Sequence, residues 1–136
     1  MIVVDTNVLA YLLLPGQHTE AARAVLTRDP SWAAPLLWRS EFRNVLALYI
    51  GQRHLSLATA LELQEAAEVL LEGREYAVNS NDVLALAGES GCSAYDCEFV
   101  AVARALGVPL ITSDRQLVSS FPNTAVDIRA FGSGEG

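Results

Sequence analysis

The chain has 136 residues, of which 51% are hydrophobic and 18% charged; this supports one domain with a substantial core and argues against disorder. Sixteen acids against nine bases leave a net charge of −7, which disfavours tight non-specific binding to nucleic acid and suits a protein that gathers acids around a divalent cation. All nine bases are arginine, and the absence of lysine excludes a Walker-type phosphate loop and a Schiff-base lysine.

No apolar run reaches the roughly 18–20 residues that cross a bilayer. Met1 leads directly into a strand-like run without a basic leader, so a cytoplasmic protein with no membrane segment is expected. Cys92 and Cys97 are the only cysteines, with no histidine near them. They are expected to be buried free thiols rather than a zinc site.

Ile2, Val3 and Val4 form a short β-branched run, the signature of a strand buried on both faces of a parallel sheet. Asp5 ends it, and residues 8–14 have helical spacing. Asp5 therefore stands where a strand hands over to a helix, at the sheet edge where open α/β folds bind ligands. A plain helix-capping role would explain the same residue. Residues 19–28 read as a second helix with Ala22, Val25 and Leu26 inward. Trp32, Ala33 and Ala34 read as a weak strand, and Pro35 as the start of a long helix over 36–51. In that helix Leu37, Trp38, Phe42, Val45, Leu48 and Tyr49 form one apolar sector. Glu41 falls inside the sector, where an acid is costly unless it meets a partner, a metal or water.

Residues 56–72 predict another long helix, with Leu57, Leu61, Leu63, Val69, Leu70 and Leu71 apolar. Its acids Glu62, Glu65, Glu68 and Glu72 read as a solvated face, and Gly73 as its cap. A strand over 75–78 and a helix opened by Asn79 follow, the latter closed by Gly88 and Gly91. The most apolar helix runs from Ser93 to Leu106. Asp96 lies in its first turn, where Ser93 and Asp96 also fit a capping box. Residues 108–111 form the next strand, which delivers Asp114 beyond its carboxyl end; Ser113 with Gln116 offers a second capping box. A short helix over 117–120, an edge strand over 124–128 and a disordered tail over 132–136 complete one domain spanning 1–131.

The order of elements is that of an α/β fold. Right-handed crossovers place the carboxyl ends of parallel strands along one edge, so Asp5, Glu41, Asp96 and Asp114 converge on one crevice. Two such charges about 5 Å apart repel by roughly 3 kcal/mol at an effective dielectric near 20. The crowded acids are therefore expected to have raised pKa values, and an all-oxygen set suits Mg²⁺ or Mn²⁺ rather than Zn²⁺. Such a site fits metal-assisted hydrolysis of a phosphodiester.

Asp5-Thr6-Asn7 after the first strand, Glu41 in an early long helix, Ser93-Ala94-Tyr95-Asp96, and Leu110-Ile111-Thr112-Ser113-Asp114 together resemble the four acidic motifs of PIN-domain ribonucleases. The likeness extends over about residues 2–131. Chain length and the segment from Ser93 to Leu117 are most similar to VapC toxins of bacterial toxin–antitoxin pairs. The resemblance implies a three-layer α/β/α sandwich around a parallel sheet of about five strands, and Mg²⁺- or Mn²⁺-dependent endonucleolytic cleavage of RNA, at tRNA or rRNA sites in some family members. It further implies that Asp5, Asp96 and Asp114 hold the metal and that Glu41 orients the attacking water. Thr112 would hydrogen-bond within the site, with help from Thr6 or Asn7. A homodimer and a VapB-like antitoxin with a basic segment are the implied partners. Cys97 stands where the family usually has a small apolar residue. Arg39, Arg43 and Arg115 are the basic residues nearest the acids in sequence, and candidates either for RNA contact or for ordinary surface roles.

Two other acid-rich α/β enzymes fit less well. A haloacid-dehalogenase-like phosphatase needs a second Asp where this chain has Asn7, and a response-regulator receiver needs a Lys. The remaining alternative is a PIN fold used for binding or assembly with little or no cleavage.

Overall fold

Strand β1 (Ile2–Val4) lies at the centre of a five-stranded parallel sheet with order β3-β2-β1-β4-β5. Its neighbours are β2 (Trp32–Pro35) and β4 (Leu110–Thr112), and the outer strands are β3 (Glu75–Tyr76) and β5 (Ala125–Asp127). Residues 1–134 are described by this computed structural model. The three inner strands, β2, β1 and β4, are buried along their whole length, as strands covered on two faces should be.

Each crossover is helical. Helices α1 (Thr6–Leu13) and α2 (Thr19–Arg28) connect β1 to β2, and α3 (Trp38–Gly51) and α4 (Leu57–Leu70) connect β2 to β3. The chain then reverses across the sheet through α5 (Ser80–Ser90) and α6 (Ala94–Leu106) to β4. Helix α7 (Arg115–Ser120) leads to β5, and α8 (Ile128–Gly132) follows it. With right-handed crossovers, α1 to α4 cover one face and α5 to α7 the other, which gives a three-layer α/β/α sandwich. Helix α6 packs over β1, β2 and β4, and α8 packs on α2. The connections leave β1 and β4 in opposite directions, so the crevice at their carboxyl ends is the topological switch point of the sheet.

Several local expectations need correction. Trp32, Ala33, Ala34 and Pro35 form a fully buried strand rather than a weak one. Pro35 ends that strand instead of starting a helix, and α3 begins at Trp38. The buried face of α3 is Trp38, Phe42 and Leu46, a strict four-residue repeat, whereas Leu48 (57% exposed) and Tyr49 lie outside it. On α4 the small residues Ala60 and Ala67 face inward with Leu71, while Leu57, Leu61 and Val69 are exposed.

Glu68 is not simply solvated: its carboxylate accepts from Arg39 at 3.1 Å and from Gln64 at 3.0 Å. Gly73 sits in the left-handed region (φ 77°) of the turn beyond α4, whose cap position is Leu71. Gly88 lies within α5, and Gly91 (φ 75°) closes it. Asp114, not Ser113, caps α7, through Oδ1 to the N–H groups of Gln116 and Leu117. Ile128, expected to end the last strand, starts α8, because the Asp127 carboxylate caps a helix there. Gly132 closes α8 and a Cβ on it would stand 3.0 Å from that of Ala24. The Ser133 and Gly134 amides donate back to Arg129 and Phe131. The tail expected over 132–136 therefore does not hold for residues 132–134; residues 135–136 lie outside the described residues.

Candidate active site

Asp5 occupies the N-cap position of α1, yet its side chain makes no capping bond to that helix. Instead Oδ2 accepts a hydrogen bond from the Thr112 hydroxyl at 2.9 Å. The pairing register explains this. Val3 and Val4 lie level with Leu110 and Ile111, so Asp5 and Thr112 are the next residues on neighbouring strands. Thr112 is fully buried, and its oxygen accepts in turn from the Asp114 amide at 3.0 Å. One hydroxyl thus connects the acid after β1 to the acid after β4.

Glu41 comes from the first turn of α3. It is half-buried, and Oε1 accepts from the Thr6 hydroxyl at 2.7 Å, leaving Oε2 with no side-chain partner among the described residues. Asp96 comes from the first turn of α6, where the Ser93 hydroxyl accepts its amide at 3.0 Å. Ser93 is therefore the cap, as expected, but among the described residues no bond from the Ser93 amide to the Asp96 carboxylate completes a capping box. Asp5, Glu41, Asp96 and Asp114 line one open cleft of about 250 Å³ together with Thr6, Asn7, Asn44 and Val45. No arginine or histidine is among these residues.

The electrostatics follow from that lining. Burial pushes the Asp5 carboxyl above its ordinary range, and Asp96 and Asp114 push it further; the Thr112 hydroxyl and the Thr6 amide pull the other way. Glu41 is raised by burial and by Asp5, Asp96 and Glu98, against the bond from Thr6. Asp96 is raised by burial and then by Asp114. Each carboxyl is thus less willing to ionise than it would be in water, because low dielectric and like charge both disfavour the anion. Among the described residues, no three acidic, histidine or cysteine side chains stand close enough to hold one ion between them. The cleft gathers the acids without closing them into a ready-made three-carboxylate cage.

Two neighbours were not singled out from sequence. Asn44 lies one helical turn after Glu41, a spacing that puts both on one face of α3. Glu98 lies two positions after Asp96, and is itself raised by burial. The helical offset from a recognised acid was the available signal in the first case; in the second nothing distinguished Glu98 from a surface acid. Of the three candidate arginines, Arg39 is turned away from the cleft into a bidentate pair with Glu75, at 2.6 and 2.8 Å. Arg43 and Arg115 are exposed and do not line it. Cys92 and Cys97 are buried free thiols; burial pushes the Cys97 thiol up, away from the reactive thiolate.

The chain is 32% identical over 134 residues to Ribonuclease VapC3 of Pyrobaculum aerophilum, covering 89% of this chain and 95% of that protein. Among solved structures, it is similar to PAE2754 from Pyrobaculum aerophilum, with TM-score 0.76 and 21% identity over 98% of this chain and 88% of the other. It is also similar to FitAcB from Neisseria gonorrhoeae, with TM-score 0.75 and 19% identity over 94% and 98% of the two chains. At these identities the structural likeness speaks for the fold alone. The PIN domain profile matches residues 2–121, a span that holds all four acids of the cleft, and the chain belongs to the PIN-domain family.

Proposed function

We propose that the protein is a divalent-metal-dependent endoribonuclease that hydrolyses RNA phosphodiester bonds, and the toxin of a toxin–antitoxin pair that inhibits translation. The observation that carries this reading is the cleft itself: four carboxylates from separate elements, meeting at the switch point, with no basic side chain in the lining. A structural cluster of acids would be expected to contain its own counter-charge. The kinship to a protein named a ribonuclease supports the same reading.

The residues fit a hard divalent cation. All donors are oxygens, and the raised pKa values of Asp5, Glu41 and Asp96 are those of acids lacking a positive neighbour. Mg²⁺ takes only one or two carboxylates directly and keeps several waters, so it does not require a three-carboxylate cage. Asp5, Asp96 and Asp114 would hold Mg²⁺ or Mn²⁺, directly or through water. When bound, the ion would lower the pKa of a water and stabilise charge on the phosphoryl oxygens.

The chain's own groups set up the rest. Thr112 fixes one oxygen of Asp5 and thereby its rotamer. Thr6 fixes Oε1 of Glu41, so that Oε2 can accept a proton from the attacking water. A carboxyl raised by burial is a stronger base once ionised, and Glu41 meets that condition. Asp114 keeps Oδ1 on the amides of α7, which leaves Oδ2 for the cleft.

The −7 charge fits a basic antitoxin segment that places a cation among these acids. Further parts of the proposal are an RNA target of the tRNA or rRNA type, a homodimer, a single domain over residues 1–131, and a cytoplasmic location. No helix among the described residues is long and apolar enough to cross a membrane.

The deciding experiment is cleavage of total RNA by the purified protein with Mn²⁺, with Mg²⁺ and with EDTA, alongside Asp96→Asn. Discrete bands that require metal and vanish in the variant are expected. A folded protein that binds Mn²⁺ but cuts nothing under any condition would instead favour a binding or assembly role.

A further inference from the structure

A cleft of four acids repels the phosphates it is proposed to receive. Bound metal offsets part of that charge, but the substrate also needs donors. Among the eight lining residues, the four acids only accept when ionised. The Thr6 hydroxyl proton is committed to Glu41, and Val45 has none. Only the carboxamides of Asn7 and Asn44 retain side-chain N–H donors. Both residues are exposed at the cleft, and neither side chain makes a hydrogen bond within the protein among the described residues.

Their positions matter as much as their chemistry. Asn44 is one turn beyond Glu41 on α3, and Asn7 follows Thr6 on α1, so the two amides flank the Thr6–Glu41 bond in sequence on both helices. A neutral donor also avoids a conflict. An arginine here would pair with the acids and compete with the metal, as Arg39 does with Glu75 elsewhere in the fold, whereas a carboxamide can hold an anionic oxygen and leave the acids free.

We infer that Asn44, with Asn7 beside it, is a substrate-binding residue that donates to the phosphate oxygens of the RNA backbone next to the scissile bond. The inference rests on the nuclease reading above and deepens it. It assigns to neutral amides the backbone contact that the arginines nearest the acids do not make from the cleft lining.

The test uses Asn44→Ala and Asn44→Asp in the full chain. The substrate is a short transcript carrying a site that the wild-type protein cuts in total RNA. For Asn44→Ala, KM should rise about tenfold, the size expected for losing a hydrogen bond to a charged group, with kcat held within about twofold. Mn²⁺ affinity by calorimetry should not change. The melting temperature should stay level or rise, because alanine is the better helix former. Asn44→Asp, the same size but without donors and with added charge, should raise KM further. The inference is overturned if wild type cuts the transcript and Asn44→Ala keeps its KM, or if activity falls only in step with stability or Mn²⁺ affinity, or only in kcat. Failure of wild type to cut any RNA with metal would overturn the nuclease reading itself.

Discussion

Acids gather in two places in this molecule, and they are handled in opposite ways. Beneath the α3–α4 hairpin, Glu75 and Glu68 converge on Arg39, and the Trp38 indole N–H adds a 2.7 Å bond to Glu75. There the bonds from Arg39 hold the Glu75 carboxyl below its ordinary range, and both partners are satisfied. In the cleft, Asp5, Glu41 and Asp96 are all raised, mainly by burial and then by neighbouring acids, Asp114 and Glu98 included. One cluster carries its cation in the sequence and contributes to stability. The other lacks it, at a cost in stability that a ligand can recover.

Replacing acids in the two clusters should separate these roles. Asp96→Asn should lower RNA cleavage about a hundredfold or more, the scale on which removing one electrostatic group acts, with the circular dichroism spectrum unchanged. Full activity in this variant would refute the site assignment. Manganese sharpens the contrast. At a hundredfold excess over Kd, binding adds ~2.7 kcal/mol, or on the order of 5–10 °C in melting temperature for a chain of this size. Wild type should show that rise and Asp96→Asn much less of it; no rise at millimolar Mn²⁺ would count against the cleft as a metal site.

Arg39→Met attacks the other cluster. It strands the partly buried Glu75 carboxylate and should cost about 2 kcal/mol in urea denaturation, without altering Mn²⁺ binding. The smallest effect is in pH. A carboxyl whose folded pKa is raised binds its proton more tightly when folded, so its contribution is fully present at low pH. That contribution is lost as pH rises from the ordinary carboxylate value through the raised one. Metal-free wild type should therefore lose stability relative to Asp96→Asn as pH rises above the ordinary carboxylate value of about 4, and Mn²⁺ should abolish the difference. Glu75 has the opposite sign: its lowered pKa adds stability above the ordinary value that is lost as pH falls. Comparing Arg39→Met with wild type isolates that limb.

How legible each cluster was in the sequence follows from the range of its contacts. Asp5 stands directly after a short β-branched run and Asp114 two residues beyond the end of β4, and strand direction alone carries them to one edge. Helix order then brings Asp96 to the same place. Arg39 was readable only as a base near Glu41, because its partner Glu75 is 36 residues away and no periodicity encodes that pairing. Leu48 and Tyr49 satisfied the helical spacing for an apolar sector but are exposed, and spacing does not report whether a layer lies opposite. Helix α8 was missed because Asp127 reads equally well as a strand residue and as a cap. The capping argument was most informative where it failed: Asp5 is at the right place to cap α1, and turns to Thr112 instead.

The hydrogen bond from Thr112 to Asp5 joins residues 107 positions apart. During synthesis Asp5 leaves the ribosome first, and its partner only after four-fifths of the chain has been made. Local helices can form early, but parallel pairing between β1 and β4 must wait for that late arrival. Until then Asp5 and Asp114 are not neighbours, and the cleft does not exist. On the proposed nuclease function, the nascent chain would carry no completed cleft, because the site belongs to the part of the fold that is assembled late.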